Sequence, residues 1–411
     1  MKHRPNQREG VRAVSAGMRA RGLRASLGLV ILLLAACSGA ARPASEPRAA
    51  EQHAAVSGAS APTNAAAPAD SAYGKLDVLV THVRKRNTDA YAVKSAAGID
   101  EASFVRIGGI EQWITIRGQN RANPVLLFLH GGPGDVTSPW GYAYFAPWYT
   151  QFTVVEWDQR GAGRTLRKSG PSIAPTITVD RLVDDGIELS DYLRKHLGKE
   201  KIFIVGHSFG STIGTLMARA RPDLFFAYVG TAQVADNPRA EAFAYEALVK
   251  KAQASDNQRA KEELAQIGPP PRSSGQGYGV QRKWANQFEG ADRFIYGTIG
   301  LALVGPGSTV DDFNDSADGQ QLSGERLVPQ TKAITAKDLG VDFALPIFVI
   351  QGVDDFTTPT ELARQYVDKI KAPRKEFVVI EGAGHFAVFT KSDEFLKELV
   401  TRVRPLAQGA R

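Results

Sequence analysis

From residue 102 onward, short apolar runs recur at intervals that suit a buried sheet. They are Val125–Leu129, Phe152–Trp157, Ile202–Val205, Phe226–Gly230, Ile347–Ile350 and Phe377–Ile380. Each is too short for a helix and is bounded by polar or Gly-containing sequence, which predicts strands buried on both faces. Residues 102–117 predict an antiparallel hairpin turning at Gly108-Gly109. Helical patterns at Val179–Leu197 and Ser211–Ala220 separate several of the runs, and an amphipathic stretch at Leu76–Arg86 precedes them. Such alternation predicts an α/β fold: a mostly parallel eight-stranded sheet, right-handed crossovers and helices on both faces. The alternation lapses between Asp236 and Gly340. There the chain is polar and helix-prone (Arg239–Gln266), then rich in Gly and Pro (Gly268–Gly279), then mixed. A structureless loop of that length is not expected. Residues 236–340 therefore read as a mainly helical cap inserted between the sixth and seventh strands, with residues 73–235 and 341–411 forming the core.

Composition changes the picture mainly at the N-terminus. The 411-residue chain carries a formal net charge of +7, which invites a nucleic-acid reading. Residues 1–36, however, hold Lys2, Arg4, Arg8, Arg12, Arg19, Arg21 and Arg24 against Glu9 alone, a net of +6, so residues 37–411 carry +1. Nucleic acid is not an expected partner of a chain so nearly neutral. The basic segment leads into the apolar stretch Leu27–Ala36, too short to span a bilayer but suited to an export signal. It ends in Leu34-Ala35-Ala36-Cys37, which resembles the bacterial lipobox. That resemblance implies cleavage before Cys37, lipidation of its thiol and attachment to the cell envelope. Ser38, not being Asp, implies the outer membrane facing the periplasm in a Gram-negative cell. The basic segment is long for a signal, so Met18 competes with Met1 as the start; N-terminal mapping of the precursor decides between them. Cys37 is the one cysteine, which excludes an intramolecular disulfide framework and a multi-thiolate metal site. Residues 37–72 are rich in Ala, Pro and Ser, with no aromatic residue, and read as a disordered tether.

Three segments carry candidate chemistry. Gly206-His207-Ser208-Phe209-Gly210 fits G-x-S-x-G between a strand and a helix, the setting of a nucleophile elbow. A serine nucleophile needs a base and an orienting acid. His385, in Gly382-Ala-Gly-His385, is the only histidine after Ser208 and follows a strand. Between them, Gly352-Val353-Asp354-Asp355 follows another strand. Neighbouring side chains in extended backbone point opposite ways, so only one of Asp354 and Asp355 can face the histidine. His130-Gly131-Gly132-Pro133-Gly134 follows the third strand, where an oxyanion loop is expected. The amides of Gly132 and Phe209 are its candidate donors, and His130 reads as a structural loop residue.

Together these strings resemble the α/β-hydrolase fold and, within it, the proline iminopeptidase family. His130–Gly134 matches that family's signature loop, and Asp158-Gln159-Arg160-Gly161-Ala162-Gly163-Arg164-Thr165 is similar to its D-Q-R-G-x-G-x-S segment. The resemblance covers roughly residues 100–400. It implies a Ser208, Asp355, His385 triad, with Asp355 favoured by the spacing Gly352-x-x-Asp355-x-x-x-Pro359. Phe209 stands where the family often has Trp, and Thr165 where it has Ser. Iminopeptidases hold the substrate's free amine with acidic cap residues. Glu241, Glu246, Glu262 and Glu263 are the candidates, each otherwise a solvated helix charge.

The activity implied is acyl transfer on a small peptide or ester, with no metal or organic cofactor required. An aminopeptidase of proline iminopeptidase type is the leading reading. A carboxylesterase on small or lipid-like esters is the alternative, and a non-catalytic binding lipoprotein a remote third. The aromatic run Trp140–Tyr149 can form an apolar substrate pocket through Trp140 and Tyr144, or pack the core beneath the cap.

Overall fold

The computed structural model describes residues 72–271 and 275–407, all within one compact unit. The expected signal peptide, Cys37 and nearly all of the expected tether lie outside the described residues. Helix α1 (Ala72–Tyr91) runs longer than the expected Leu76–Arg86. After it come β1 (Ile99–Ile107) and β2 (Ile110–Gly118), an antiparallel pair joined at Gly108-Gly109, both with positive φ. The chain then alternates through β3 (Val125–Leu129), β4 (Thr153–Asp158), α2 (Gly163–Ser169), α3 (Val179–Leu197), β5 (Ile202–His207), α4 (Phe209–Ala220) and β6 (Phe225–Thr231). Five helices of ten or more residues follow: α5 (Asn237–Gln253), α6 (Gln258–Ile267), α7 (Gly275–Phe288), α8 (Asp292–Leu303) and α9 (Val310–Thr331). Strand β7 (Ile347–Gly352), α10 (Thr360–Lys369), β8 (Lys375–Ile380) and α11 (Ser392–Glu398) complete the unit.

The eight strands form one sheet in the order β1-β2-β4-β3-β5-β6-β7-β8. Pairing is antiparallel from β1 to β4 and parallel through the rest. The continuous apolar runs are explained by burial on both faces. Along β3, Val125, Leu127 and Leu129 face one core with α3, α4 and α10, contributed by residues such as Leu189, Ile213 and Tyr366. Leu126 and Phe128 face the other, with Trp148, Phe389 and Phe395. The crossover order β4-β3-β5 brings the C-terminal ends of β3 and β5 side by side, and loops after parallel strands carry the site in such sheets.

The polar, helix-prone stretch Arg239–Gln266 is occupied by two helices. Asn257 starts the second by accepting a hydrogen bond from Ala260 N at 3.0 Å. Within the Gly/Pro-rich stretch, α7 already begins at Gly275. Helices α5, α6 and α7 share a small core of Leu248, Ala252, Ala260, Leu264, Trp284 and Ala285, so tertiary packing outweighs glycine's poor helix propensity. Among the described residues no helix is long and apolar enough to cross a membrane.

The D-Q-R-G segment ties the sheet's antiparallel edge to this frame. Arg160 is 2% exposed and pairs with Asp185 of α3, 0% exposed, at 2.7 Å. Asp185 also accepts from Arg181 at 2.9 Å and Gln112 at 2.9 Å, while Arg160 donates to Gly108 O at 2.7 Å. A Cβ on Gly108 would collide with the Asp185 carboxylate, so the hairpin turn needs glycine for space as well as conformation. Removing Asp185 would strand the Arg160 charge in the core, at about 3–5 kcal/mol, whereas Asp185 without Arg160 would keep Arg181.

Candidate active site

The turn from β5 into α4 is tight. Ser208 sits between them with φ 54° and ψ −121°, a region that L-residues with a Cβ rarely occupy. Two glycines make the turn possible. A Cβ on Gly206 would strike the Gly210 carbonyl, and one on Gly210 would strike the carbonyls of Leu129 and His130. The strained turn lifts the Ser208 hydroxyl above the end of the sheet, with Phe209 as the first residue of α4. The first amides of a helix lack intrahelical partners and lie at its positive end, where a developing anion is stabilised.

His385 and Asp355 reach Ser208 from the loops after β8 and β7. His385 Nε2 lies 3.0 Å from Ser208 Oγ, and His385 Nδ1 lies 3.1 Å from each Asp355 oxygen. Asp355 accepts three further hydrogen bonds, from Thr357 N at 2.9 Å, Thr358 N at 2.8 Å and Thr358 Oγ1 at 2.7 Å. Burial works against the Asp355 anion, but His385 and the Thr358 donors outweigh it and hold the carboxyl below its usual range. The neighbouring Asp354 points away, 3.7 Å from Lys251 at the surface.

The loop His130–Gly134 lies against this trio. A side chain on Gly131 would stand 3.1 Å from Ser208 Cβ, and Gly132 has φ 110°. His130 is buried and held neutral, its pKa lowered to about 4 by desolvation. Its Nδ1 lies 2.9 Å from Gly131 O, and its Nε2 lies 3.3 Å from Gln159 N. Nδ1 must therefore be the protonated nitrogen, and His130 braces the loop against β4. His207 is likewise buried, with its pKa lowered to about 3 by desolvation, and its Nε2 lies 3.0 Å from His385 O.

A cavity of about 640 Å³ opens over Ser208. Its apolar wall includes Val136, Trp140, Phe294, Ile299, Phe386 and Phe389. Of the expected substrate-binding residues, Trp140 belongs to this wall. Tyr144 stands behind it, edge-on to Trp140 at 5.8 Å, and is not part of the lining. The cap carboxylates need a larger correction, because Glu241, Glu246, Glu262 and Glu263 are not part of the lining either. Helix α5 buries Ala244, Leu248 and Ala252 against α6 and α7, which leaves Glu246 on its exposed side. Glu263 is spent on Lys283 at 2.5 Å and Arg259 at 2.7 Å, and Glu262 accepts from Gln258.

The insertion instead sends a carboxylate that sequence reasoning missed. Glu289, just past α7, accepts from Phe356 N at 2.9 Å and from His385 N at 2.8 Å. One side chain thus ties together the loops that carry the acid and the histidine. Burial, and next the negative charge of Asp355, push its pKa up to about 8. A carboxyl raised in the folded state gives stability that is present below its unfolded pKa and lost as pH rises through the folded one. Glu289→Gln is therefore expected to remove a stability loss between about pH 4.5 and 8. Urea unfolding of both proteins across that range checks it: relative to the variant, the native protein should weaken by up to a few kcal/mol as pH rises. No motif marks Glu289; it lies in the segment least readable from sequence.

Residues 124–392 match the family model described as alpha/beta hydrolase fold. The chain belongs to the α/β hydrolase family. This α/β hydrolase is a hydrolase enzyme with aminopeptidase and proline iminopeptidase relatives. It is 29% identical over 296 residues to the Bacillus subtilis protein named "Probable aminopeptidase YbaC", covering 71% of this chain and 92% of that one. A "Probable proline iminopeptidase" of Streptomyces coelicolor is 38% identical over 107 residues, 26% of this chain and 31% of that one. In fold it is similar to the crystal structure of proline iminopeptidase from Mycobacterium smegmatis, with TM-score 0.56 and 22% identity over 76% of this chain and all of that one.

Proposed function

We propose that this α/β hydrolase is an aminopeptidase of proline iminopeptidase type that works through an acyl-enzyme on Ser208. The supporting observation is the continuous chain of contacts from Asp355 through His385 to Ser208, at 3.1 and 3.0 Å, beside the glycine loop. His385 takes the Ser208 proton as the oxygen attacks the substrate carbonyl. The amides of Gly132 and Phe209 receive the oxyanion, each such donor being worth about 3 kcal/mol. His385 then protonates the leaving nitrogen, and water attacks the acyl-enzyme with the same residue as base. Asp355 keeps the imidazole in the tautomer with Nδ1 protonated and stabilises its charged form. The aminopeptidase assignment leans on the relative spanning most of the chain, with its coverage of 92% of that protein.

The apolar cavity wall favours a second reading, a carboxylesterase for small or lipid-like esters. Turnover of a proline arylamide against a short acyl aryl ester separates the two. Amide turnover is expected; ester turnover with no amide turnover would sink the aminopeptidase reading.

The proposal extends to location. Residues 1–36 direct export, and lipid on Cys37 anchors the enzyme to the envelope through residues 38–71. Cys37→Ser is expected to move the protein from the membrane fraction to the soluble fraction of the envelope, read by immunoblot after fractionation. Retention of the variant in the membrane fraction would remove the lipid anchor.

A further inference from the structure

Three charged side chains besides the histidines line the cavity: Asp135, Arg282 and Asp312. Asp312 is neutralised by Arg164 at 2.7 Å and Arg167 at 3.3 Å. Asp135 and Arg282 have no ion pair among the described residues. Their positions differ in a way that matters for a substrate lying across Ser208.

Asp135 belongs to the glycine loop. Its Cβ lies 3.3 Å from where a Cβ on Gly132 would be, so it sits beside the proposed oxyanion donor. Its carboxylate accepts from Val136 N at 2.8 Å and from Gln320 Nε2 at 3.3 Å, with the Ser316 hydroxyl alongside. All of these donors are neutral, and burial pushes its pKa up. A cation from the substrate would supply what the protein omits.

Arg282 stands beside the loop that carries the acid. Its guanidinium donates to Thr357 Oγ1, and Thr357 N in turn holds Asp355. It also acts electrostatically on His207 and Glu289. Glu289 is already spent on the amides of Phe356 and His385. Arg282 therefore lines the part of the cavity formed by the loops of the acid and the histidine. An arginine fork with a neutral partner suits a carboxylate.

We propose that the cavity reads both ends of a short free peptide, a di- or tripeptide, with its N-terminal amine on Asp135 and its C-terminal carboxylate on Arg282. This rests on the aminopeptidase reading and names its substrate class. The acyl half of a substrate must lie at the glycine loop and the leaving half at His385. The charges are thus placed in the order in which a zwitterionic peptide presents them. Two residues of extended peptide span about 7 Å, within reach of a cavity of about 640 Å³.

The test compares kcat/KM for prolyl-alanine, its C-terminal amide, its N-acetyl form and a proline arylamide. The native enzyme is expected to prefer the free dipeptide over the dipeptide amide, and over the N-acetyl form, by about ten- to a hundredfold. Arg282→Gln should bring the dipeptide-to-amide ratio close to one, whereas Arg282→Lys should retain part of it. Asp135→Asn should bring the ratio of free to N-acetylated substrate down by about tenfold or more, mainly through KM. If either variant fails to fold, the native ratios still decide: no preference for the free carboxylate overturns the inference. Arylamide turnover without that preference overturns this inference alone and leaves the aminopeptidase reading standing. Ester turnover without any amide turnover overturns both. Unchanged ratios in folded Arg282→Gln and Asp135→Asn also overturn it.

Discussion

Ser208→Ala is expected to lower kcat on the order of 10⁶-fold while leaving the fold intact. The hydroxyl is the only atom removed, and its contact with His385 Nε2 at 3.0 Å lies over the open cavity, outside the close-packed core. Residual turnover above the uncatalysed rate should persist, because the amides of Gly132 and Phe209 and the cavity wall remain. A companion variant isolates the backbone strain. Alanine keeps the Cβ and hence the cost of φ 54°, ψ −121°, whereas Ser208→Gly removes it. Glycine's greater unfolded-state freedom offsets part of the gain. Ser208→Gly should therefore be the more stable of the two inactive variants, by about 1 kcal/mol. Single-turnover kinetics measure the first effect and urea unfolding the second. Equal stability would mean that the turn stores no strain, and turnover close to that of the native enzyme in Ser208→Ala would remove Ser208 as nucleophile.

What was legible from sequence follows how local each signal is. Val125–Leu129 and Ile347–Ile350 are buried on both faces, and a short unbroken apolar run encodes that burial directly. Gly206 and Gly210 are required by collisions within the elbow and with the neighbouring strand end, so the elbow can be read as a short string. Divergence of adjacent side chains left one place for Asp354 or Asp355, and the family spacing selected Asp355; it meets His385, and Asp354 meets Lys251. The acids near the site were not picked out by sequence. Glu241, Glu246, Glu262 and Glu263 were chosen by charge and helical context, but their orientation depends on how α5 packs on α6 and α7. Glu289 acts through two backbone amides from loops 67 and 96 residues away, and no local pattern encodes such a reach. Asp135 was readable in principle. It directly follows His130–Gly134, so a local string contains it.

Asp355→Asn carries the second large expected effect, a fall in kcat of about 10⁴-fold with KM little changed. The substitution preserves shape. Its remaining oxygen can still accept from Thr357 N and Thr358 N, at the 2.9 and 2.8 Å that Asp355 Oδ1 now provides. The new amide nitrogen takes the place of Oδ2, which lies 3.1 Å from His385 Nδ1 and 2.7 Å from Thr358 Oγ1. The Thr358 hydroxyl can turn and accept from it, so the loop loses little. His385 cannot adapt so cheaply. With a donor now at one of its two contacts, Nδ1 is favoured as acceptor, which moves the proton to Nε2. That nitrogen is the one aimed at Ser208, and once protonated it cannot take the hydroxyl proton. Asp355→Ala differs: it leaves three donors and the imidazole unpartnered, so it should lose stability as well as rate. Measuring kcat and the unfolding midpoint for both variants separates the two effects. A loss of rate in Asp355→Asn that tracks a loss of folded protein would leave Asp355 as a structural residue only. A 10⁴-fold loss at native stability is the outcome expected of an acid that fixes the imidazole tautomer.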